Sequence, residues 1–295
     1  MRVLVTGAAG FIGSHVVRQL VDRGATTHAV VRPNASVRRI EDVRHAIHIE
    51  ELELADASRL AALLASVRPD AIIHLAWYAE PGRYLHASAE NLSSLAVSVG
   101  LLRVARETGC PRVVLAGTCL EGTSATPPPV YVAAKRAIHS VSSAVSDRAT
   151  SVVCGHVFHL YGPWEDERRV VPAVVRALLR SEPIATTNGS RVRDYLHVAD
   201  VAAAFCRLAE SDVTGGVDIC SGTPVTLRDV LEAIEVSVGS SGLLRLGELG
   251  PMADDGSPNA GDPSIIRSLG WLPAYGLRDG LADTIEWWKK NGSVA

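Results

Sequence analysis

Three glycines within the first thirteen residues constrain this chain more than any other feature. Val3-Leu4-Val5 is a short apolar run closed by Gly7, and Gly10 and Gly13 follow at steps of three. Such a run reads as a buried parallel strand. Ile12, Val16, Val17, Leu20 and Val21 then recur at helical spacing. A strand, a glycine turn and a helix N-terminus make a cradle in which backbone N–H groups and the helix dipole meet a phosphate. The spacing is GxxGxxG rather than GxGxxG, so the context of strand and helix decides the reading. The stretch is expected to bind the pyrophosphate of a dinucleotide through Gly7, Gly10, Phe11, Ile12 and Gly13.

The rest of the first half repeats the theme. Strand signals at 27–31, 47–52, 70–76 and 112–116 alternate with helical patterns at 58–67 and 91–108. A helix over 131–145, a strand over 151–158, a helix over 198–208 and a strand over 216–220 continue the series. This alternation predicts an α/β fold, a Rossmann-type doubly wound parallel sheet with right-handed crossovers. Beyond it the punctuation changes, at 162–166, 239–242 and 250–263. Residues 1–164 with 188–222 are therefore expected to form the dinucleotide-binding part. Residues 165–187 and 223–295 are expected to form a smaller mixed substrate-binding lobe, with loops at 239–242 and 250–263.

Composition excludes several alternatives. With 295 residues, 47% hydrophobic and 21% charged, the chain can bury a large core. A net charge of −3 points to neither nucleic acid nor an anionic membrane surface. No apolar run reaches the ~18 residues of a membrane span, and a strand starting at residue 2 argues against a signal peptide. Five scattered cysteines without CxxC spacing argue against a disulfide framework and against a metal centre. A reduced, cytoplasmic protein is the expectation.

The chemistry is concentrated in the middle of the chain. Tyr131 and Lys135 stand four apart on one helix face. An ammonium beside a phenol favours the phenolate and lowers the tyrosine pKa. Thr118 lies just past the predicted fifth strand, at the carboxyl edge where sites in such sheets form.

With these residues the chain resembles the extended short-chain dehydrogenase/reductases, the NAD-dependent epimerase/dehydratase group of sugar-nucleotide epimerases, dehydratases and reductases. The matching stretches are residues 6–13, His74-Leu75-Ala76, Asn91, Thr118, Tyr131 with Lys135, and Tyr161-Gly162-Pro163. Further on come the run from Arg193 to Asp200, Asp262-Pro263-Ser264 and Leu269-Gly270-Trp271. They run in family order through nearly the whole chain. The resemblance implies that Tyr131 is the catalytic acid/base, that Lys135 is its partner and holds the nicotinamide ribose, and that Thr118 binds the reacting oxygen. It also implies that Leu54 and Ala76 flank the cofactor, and that Arg193 meets a substrate diphosphate unless it only pairs with Asp194. His159 stands where relatives carry an Asn toward the diphosphate, and Tyr78, with Trp77, lies where substrate would pass. A homodimer through the helices at Asn91 and Tyr131 is implied as well.

The details separate the activities within that group. Val30-Val31-Arg32-Pro33 ends the second strand without the acidic residue that receives an adenosine 2′-hydroxyl. Arg32, with Arg38 and Arg39 assisting, can instead pair with a 2′-phosphate, so NADP(H) is favoured over NAD(H). The resembling 4,6-dehydratases carry Thr-Asp-Glu where this chain has Thr118-Cys119-Leu120, which argues against water loss. Cys119 and Arg169 stand near where enzymes that also epimerise carry Cys and His. Only twelve residues separate Thr118 from Tyr131, about half the family's usual stretch. The run 117–121 resembles that of the deoxysugar 4-ketoreductases. NADPH-dependent reduction of a nucleotide-linked 4-keto-6-deoxyhexose is expected. A 4-epimerase with retained cofactor, a non-catalytic sensor and a reductase of small non-sugar ketones are the alternatives.

Overall fold

The computed structural model describes residues 1–124, 126–250 and 258–292. Ala125 in the loop before Tyr131, and residues 251–257 of the predicted loop 250–263, lie outside the described residues. The chain opens with β1 (Arg2–Thr6), α1 (Phe11–Asp22), β2 (Thr26–Val31), β3 (His48–Glu51), α2 (Ala57–Val67) and β4 (Ala71–His74). It continues with α3 (Ser88–Glu107), β5 (Arg112–Thr118), α4 (Val130–Val145), β6 (Ser151–Val157), β7 (His159–Tyr161) and α5 (Val170–Leu179). Then follow β8 (Ile184–Thr186), β9 (Val192–His197), α6 (Val198–Ala209), β10 (Gly215–Ile219), β11 (Pro224–Thr226) and α7 (Leu227–Val238). β12 (Leu244–Leu246), α8 (Ser264–Ser268) and α9 (Leu277–Asn291) complete it. Among the described residues, no helix is long and apolar enough to cross a membrane.

Seven parallel strands form the main sheet in the order β10-β6-β5-β4-β1-β2-β3. The expected Rossmann-type doubly wound sheet is what the chain forms. The order reverses between β1 and β4, and at such a switch point the loops leave the strand ends in opposite directions and open a crevice. Val3, Val5, Ile73 and Val114 pack on one face with Val16, Val17 and Leu20 of α1 and Phe205 of α6. Leu4, Ile72, Val113 and Leu115 pack on the other with Leu60 and Leu64 of α2 and Leu101 of α3. Consecutive strand residues alternate between these cores because side chains alternate across a pleated strand. β5 runs two residues beyond the expected 112–116, since pairing continues to Thr118 opposite Val157.

A separate apolar cluster joins α5, α7 and α9 through Val171, Val175, Leu231, Ile234, Ile285 and Trp288. β11, β9 and β7 form a three-stranded sheet, and β12 pairs with β8. These strands have three to six residues, too short for alternation to reveal. Ile266 and Trp271, from the stretch expected in the smaller lobe, pack into the core of the main sheet.

Candidate active site

The ends of β1, β4, β5 and β6 open into one cavity of about 450 Å³. Gly7, Gly10, Phe11, Ile12 and Gly13 line one side. Gly7 has φ +68°, and a Cβ there would stand 2.8 Å from the Ala76 nitrogen. A Cβ on Gly13 would collide with the Gly7 carbonyl. Glycine is required at both positions because the turn folds against backbone on every side. Gly10 N–H closes the turn on Gly7 O at 2.9 Å and Gly10 caps α1, so the first N–H groups of the helix are presented without a side-chain cap.

Thr118, Tyr131 and Lys135 line the other side. Thr118 ends β5 and caps the 3-10 turn Cys119–Gly122, with Leu120 N–H donating to its hydroxyl at 3.3 Å. It lines the cavity together with the Tyr131 phenol. Burial pushes the phenol pKa above its ordinary value, the nearby Tyr84 adds to this, and the Thr118 hydroxyl acts the other way. Tyr131 is thus a neutral phenol, able to give a proton. Burial lowers Lys135 to about 8, against the influence of Cys154 and Glu121.

Spacing alone placed the Lys135 ammonium beside the phenol, and here the structure differs. Lys135 Nζ donates to Ala116 O at 2.6 Å and lies 3.7 Å over the Trp77 ring, but 5.9 Å from the Tyr131 ring centre. One helical turn brings the two Cβ atoms together, but the four-carbon stem then carries the ammonium to the strongest acceptor and π face within reach. Trp77 is held for this contact: its Nε1 donates to Asn91 Oδ1 at 2.9 Å, and Asn91 Nδ2 donates to Tyr84 O at 2.7 Å. Tyr84 meets Tyr131 edge-on at 4.9 Å. The buried Asn91 therefore sets two aromatic rings around the phenol.

The remaining candidates divide. His159 lines the cavity, and Ala76 touches the glycine turn, its N–H reaching Thr6 Oγ1 at 3.4 Å. Arg32, Leu54, Tyr78 and Arg193 do not line it. Arg32 is exposed, and Leu54 packs on the core around Leu4 and Val30. Tyr78 is turned away, its hydroxyl donating to Glu80 Oε2 at 2.8 Å. Arg193 is buried on β9, where its Nη1 donates to Val192 O. Asp194 does not serve it as a simple surface partner, since its carboxylate accepts from the Ser221 and Gly222 N–H groups.

Arg39 and Trp77, secondary candidates from the sequence, line the cavity, and with them Tyr84, Glu165 and Arg169. The last three had not been selected as site residues, and only assembly from separate loops reveals them. Arg169 lies 5.3 Å over the Tyr84 ring. The Glu165 carboxyl is pushed up to about 8 by burial, with Arg169 opposing, and its Oε2 has no hydrogen-bond partner among the described residues. Arg39 donates to Trp164 O at 3.2 Å, but its buried Nε is unpaired among the described residues. Burial works against its charge, partly offset by Asp166. A desolvated guanidinium with an orphan donor, in one cavity with a turn that only glycine can form, fits the phosphates of a dinucleotide.

Residues 3–219 match the NAD dependent epimerase/dehydratase family. The chain belongs to that family. It is 31% identical to UDP-glucose 4-epimerase of Mycolicibacterium smegmatis, over 98% of this chain and 99% of that protein. Among solved structures it is 26% identical to the dTDP-glucose 4,6-dehydratase DesIV of Streptomyces venezuelae with NAD bound, at a TM-score of 0.84 and covering 99% and 98% of the two chains. UDP-glucose 4-epimerase of Thermotoga maritima, solved with UDP-glucose, gives a TM-score of 0.86 at 23% identity, covering 99% of both chains. At that identity the likeness speaks for the fold alone.

Proposed function

We propose that this family member reduces the 4-keto group of a nucleotide-linked 4-keto-6-deoxyhexose with NADPH. The observation that carries the reading is the neutral Tyr131 phenol, lining one cavity with Thr118 and the glycine turn. Gly7, Gly10, Gly13 and Lys135 would hold the dinucleotide, with Arg39 rather than the exposed Arg32 at its 2′-phosphate. When bound, the dinucleotide supplies a hydride. Thr118 orients the substrate oxygen, Tyr131 gives that oxygen its proton, and Lys135 supplies the positive field that stabilises the phenolate left behind. Arg169 and His159 stand ready for the substrate diphosphate.

Glu121, the carboxylate nearest Thr118 in sequence, is directed away from the phenol toward the Thr118 amide and His139. This supports reduction over water loss. A second reading, a 4-epimerase that retains its cofactor, is favoured by the full-length likeness to a named UDP-glucose 4-epimerase. The proposal includes a cytoplasmic location, supported by five cysteines that are all buried and form no disulfide among the described residues. It also includes a homodimer through α3 and α4, supported by exposed Leu92, Val99 and Val141.

Mixing the protein with NADPH and a panel of nucleotide-linked 4-keto-6-deoxyhexoses tests the reading. Stoichiometric NADPH loss is expected, falling about 10²–10⁴-fold in Tyr131→Phe. Sugar turnover without net cofactor loss would replace the reductase by the epimerase.

A further inference from the structure

A polar network adjoins Thr118, its Glu121 side chain nearly buried and its histidines and Asp218 partly exposed along a second pocket. Glu121 Oε1 accepts the Thr118 N–H at 3.0 Å, while Leu120 N–H donates to the Thr118 hydroxyl, so residue and turn cap one another. The other carboxylate oxygen lies 2.9 Å from His139 Nδ1 and 3.4 Å from His156 Nε2. His156 Nδ1 lies 3.3 Å from Asp218 Oδ1, and the two histidines approach to 3.2 Å. Glu121 comes from the 3-10 turn, His139 from α4, Cys154 and His156 from β6 and Asp218 from β10. Arg136 of α4 closes the back, its Nε donating to Glu121 O at 2.8 Å.

The sheet is shaped to admit this network. Gly117 pairs with His156 on one side, and Gly216 lies on the neighbouring strand on the other. A Cβ on Gly117 would stand 2.6 Å from His156 Cδ2 and 2.8 Å from Glu121 Oε1, and one on Gly216 would stand 2.6 Å from His156 Cε1. Glycine inside a strand weakens it and marks a close approach. Two flanking strands therefore give up side chains for one imidazole and one carboxylate. Burial by itself would raise the Glu121 pKa, but hydrogen bonds from His139 and His156 and the charge of His156 hold it down. Burial would likewise lower His156, and hydrogen bonds to Asp218, Cys154 and Glu121 override it. The result is an ionised carboxylate against an imidazolium.

A four-residue turn does not need an ion pair for its cap, since a neutral side chain caps as well and costs less to desolvate. What the charge adds is direction: a carboxylate held by two histidines cannot rotate away from the Thr118 amide. We propose that Glu121 is a positioning residue, holding Thr118 in the cavity wall that it shares with Tyr131. The inference rests on the reading that Thr118 and Tyr131 carry the reaction.

Glu121, His139, Cys154 and His156 also bring four potential ligand atoms within 4.8 Å of one another. Zinc bonds of about 2.0–2.3 Å would set such atoms about 3.3–3.8 Å apart. The separations of 2.9 and 3.2 Å are hydrogen-bond distances and the third, 3.4 Å, falls within the zinc range, so titration with zinc discriminates the two.

A double-mutant cycle tests the proposal. Glu121→Ala is expected to lower kcat about 10–100-fold with KM little changed, and Glu121→Gln to recover most of it. In a Thr118→Ala background, Glu121→Ala should cost nothing further, because it acts through Thr118. Multiplying effects would overturn the proposal, as would a loss confined to KM. If Glu121→Ala fails to fold, His139→Ala, which loosens the clamp and spares the Thr118 contact, should give an intermediate kcat.

A substrate-free readout separates this from the functional reading. With ¹³Cζ-tyrosine labelling, the Tyr131 resonance, identified among six tyrosines by its loss in Tyr131→Phe, should shift equally in Glu121→Ala, Thr118→Ala and the double variant. That shift without turnover of any panel ketone would reject the substrate and keep the positioning role. A wild-type resonance in Glu121→Ala would reject the positioning role. Titration with zinc alone should show no site; one equivalent bound in the wild type and lost in His156→Gln would overturn the proposal, making Glu121 a metal ligand.

Discussion

Arg32 and Arg39 are seven positions apart and have opposite fates. Arg32 follows β2 into solvent, whereas Arg39 donates to Trp164 O in the cavity wall and its Nε is unpaired among the described residues. A charge-assisted hydrogen bond contributes about 1.5–3 kcal/mol, or roughly 10–100-fold in affinity. Arg39→Ala is therefore expected to weaken NADPH binding by that factor while leaving NADH unchanged, and Arg32→Ala to change neither by more than about twofold. Fluorescence titration with both dinucleotides checks this, and equal losses for the two would show that Arg39 does not meet a 2′-phosphate. The sequence showed Arg32, Arg38 and Arg39 following a second strand that ends without an acid. Which of them faces inward depended on the path of residues 32–46, for which local spacing holds no signal.

At the level of elements, the turn between β1 and α1 is the most legible part of the chain, because its requirement is steric. A methyl on Gly13 would meet Gly7 O, Gly7 C and the Ala8 Cα, all backbone atoms that cannot swing aside. Gly13→Ala should destabilise the protein by about 1–3 kcal/mol, the usual scale of overpacking, and abolish dinucleotide binding. Urea unfolding and a binding titration measure the two effects, and wild-type affinity in this variant would mean that the turn is not the cradle. The Tyr131–Lys135 helix was legible too, but only its backbone. The direction of Lys135 was decided by Trp77 and the Ala116 carbonyl, which arrive from β4 and β5. The strands β7, β8, β9, β11 and β12 were missed because runs of three to six residues gain their order from partners far along the chain.

For the molecule as a whole, buried histidines tie stability to pH. His74 bridges β1 and α3, its Nδ1 2.7 Å from Thr6 Oγ1 and its Nε2 2.8 Å from Ser98 Oγ. Burial lowers its pKa to about 3, with Lys135 adding to the effect. The unfolded chain takes up this proton near pH 6.5 while the folded one refuses it. The contribution of His74 is therefore complete above about pH 6.5 and is lost as pH falls toward 3. Each such proton gives a slope of about 1.4 kcal/mol per pH unit. Urea unfolding between pH 6 and 4 should show His74→Gln with a slope lower than wild type by about that amount, whatever its absolute stability. Equal slopes would mean that His74 is protonated in the fold. His156 has the opposite sign: its contribution is complete below about pH 6.5 and is lost as pH rises toward its folded value.

The sequence by itself determined the alternation of strands and helices, the glycine turn, and the presence of Thr118, Tyr131 and Lys135 at strand and helix ends. All of these rest on short-range physics: periodicity, the steric limits of a turn, and the pitch of a helix. Only the tertiary structure decided that Arg39 rather than Arg32 lines the cavity, that Trp77 faces it while Tyr78 turns away, and that Glu121 is clamped behind Thr118 by His139 and His156. Each of those outcomes depends on which distant backbone or ring offers a buried polar group its partner. That choice is made by desolvation inside the folded chain, where an unpaired charge or donor is costly, and it leaves no periodic trace in the sequence.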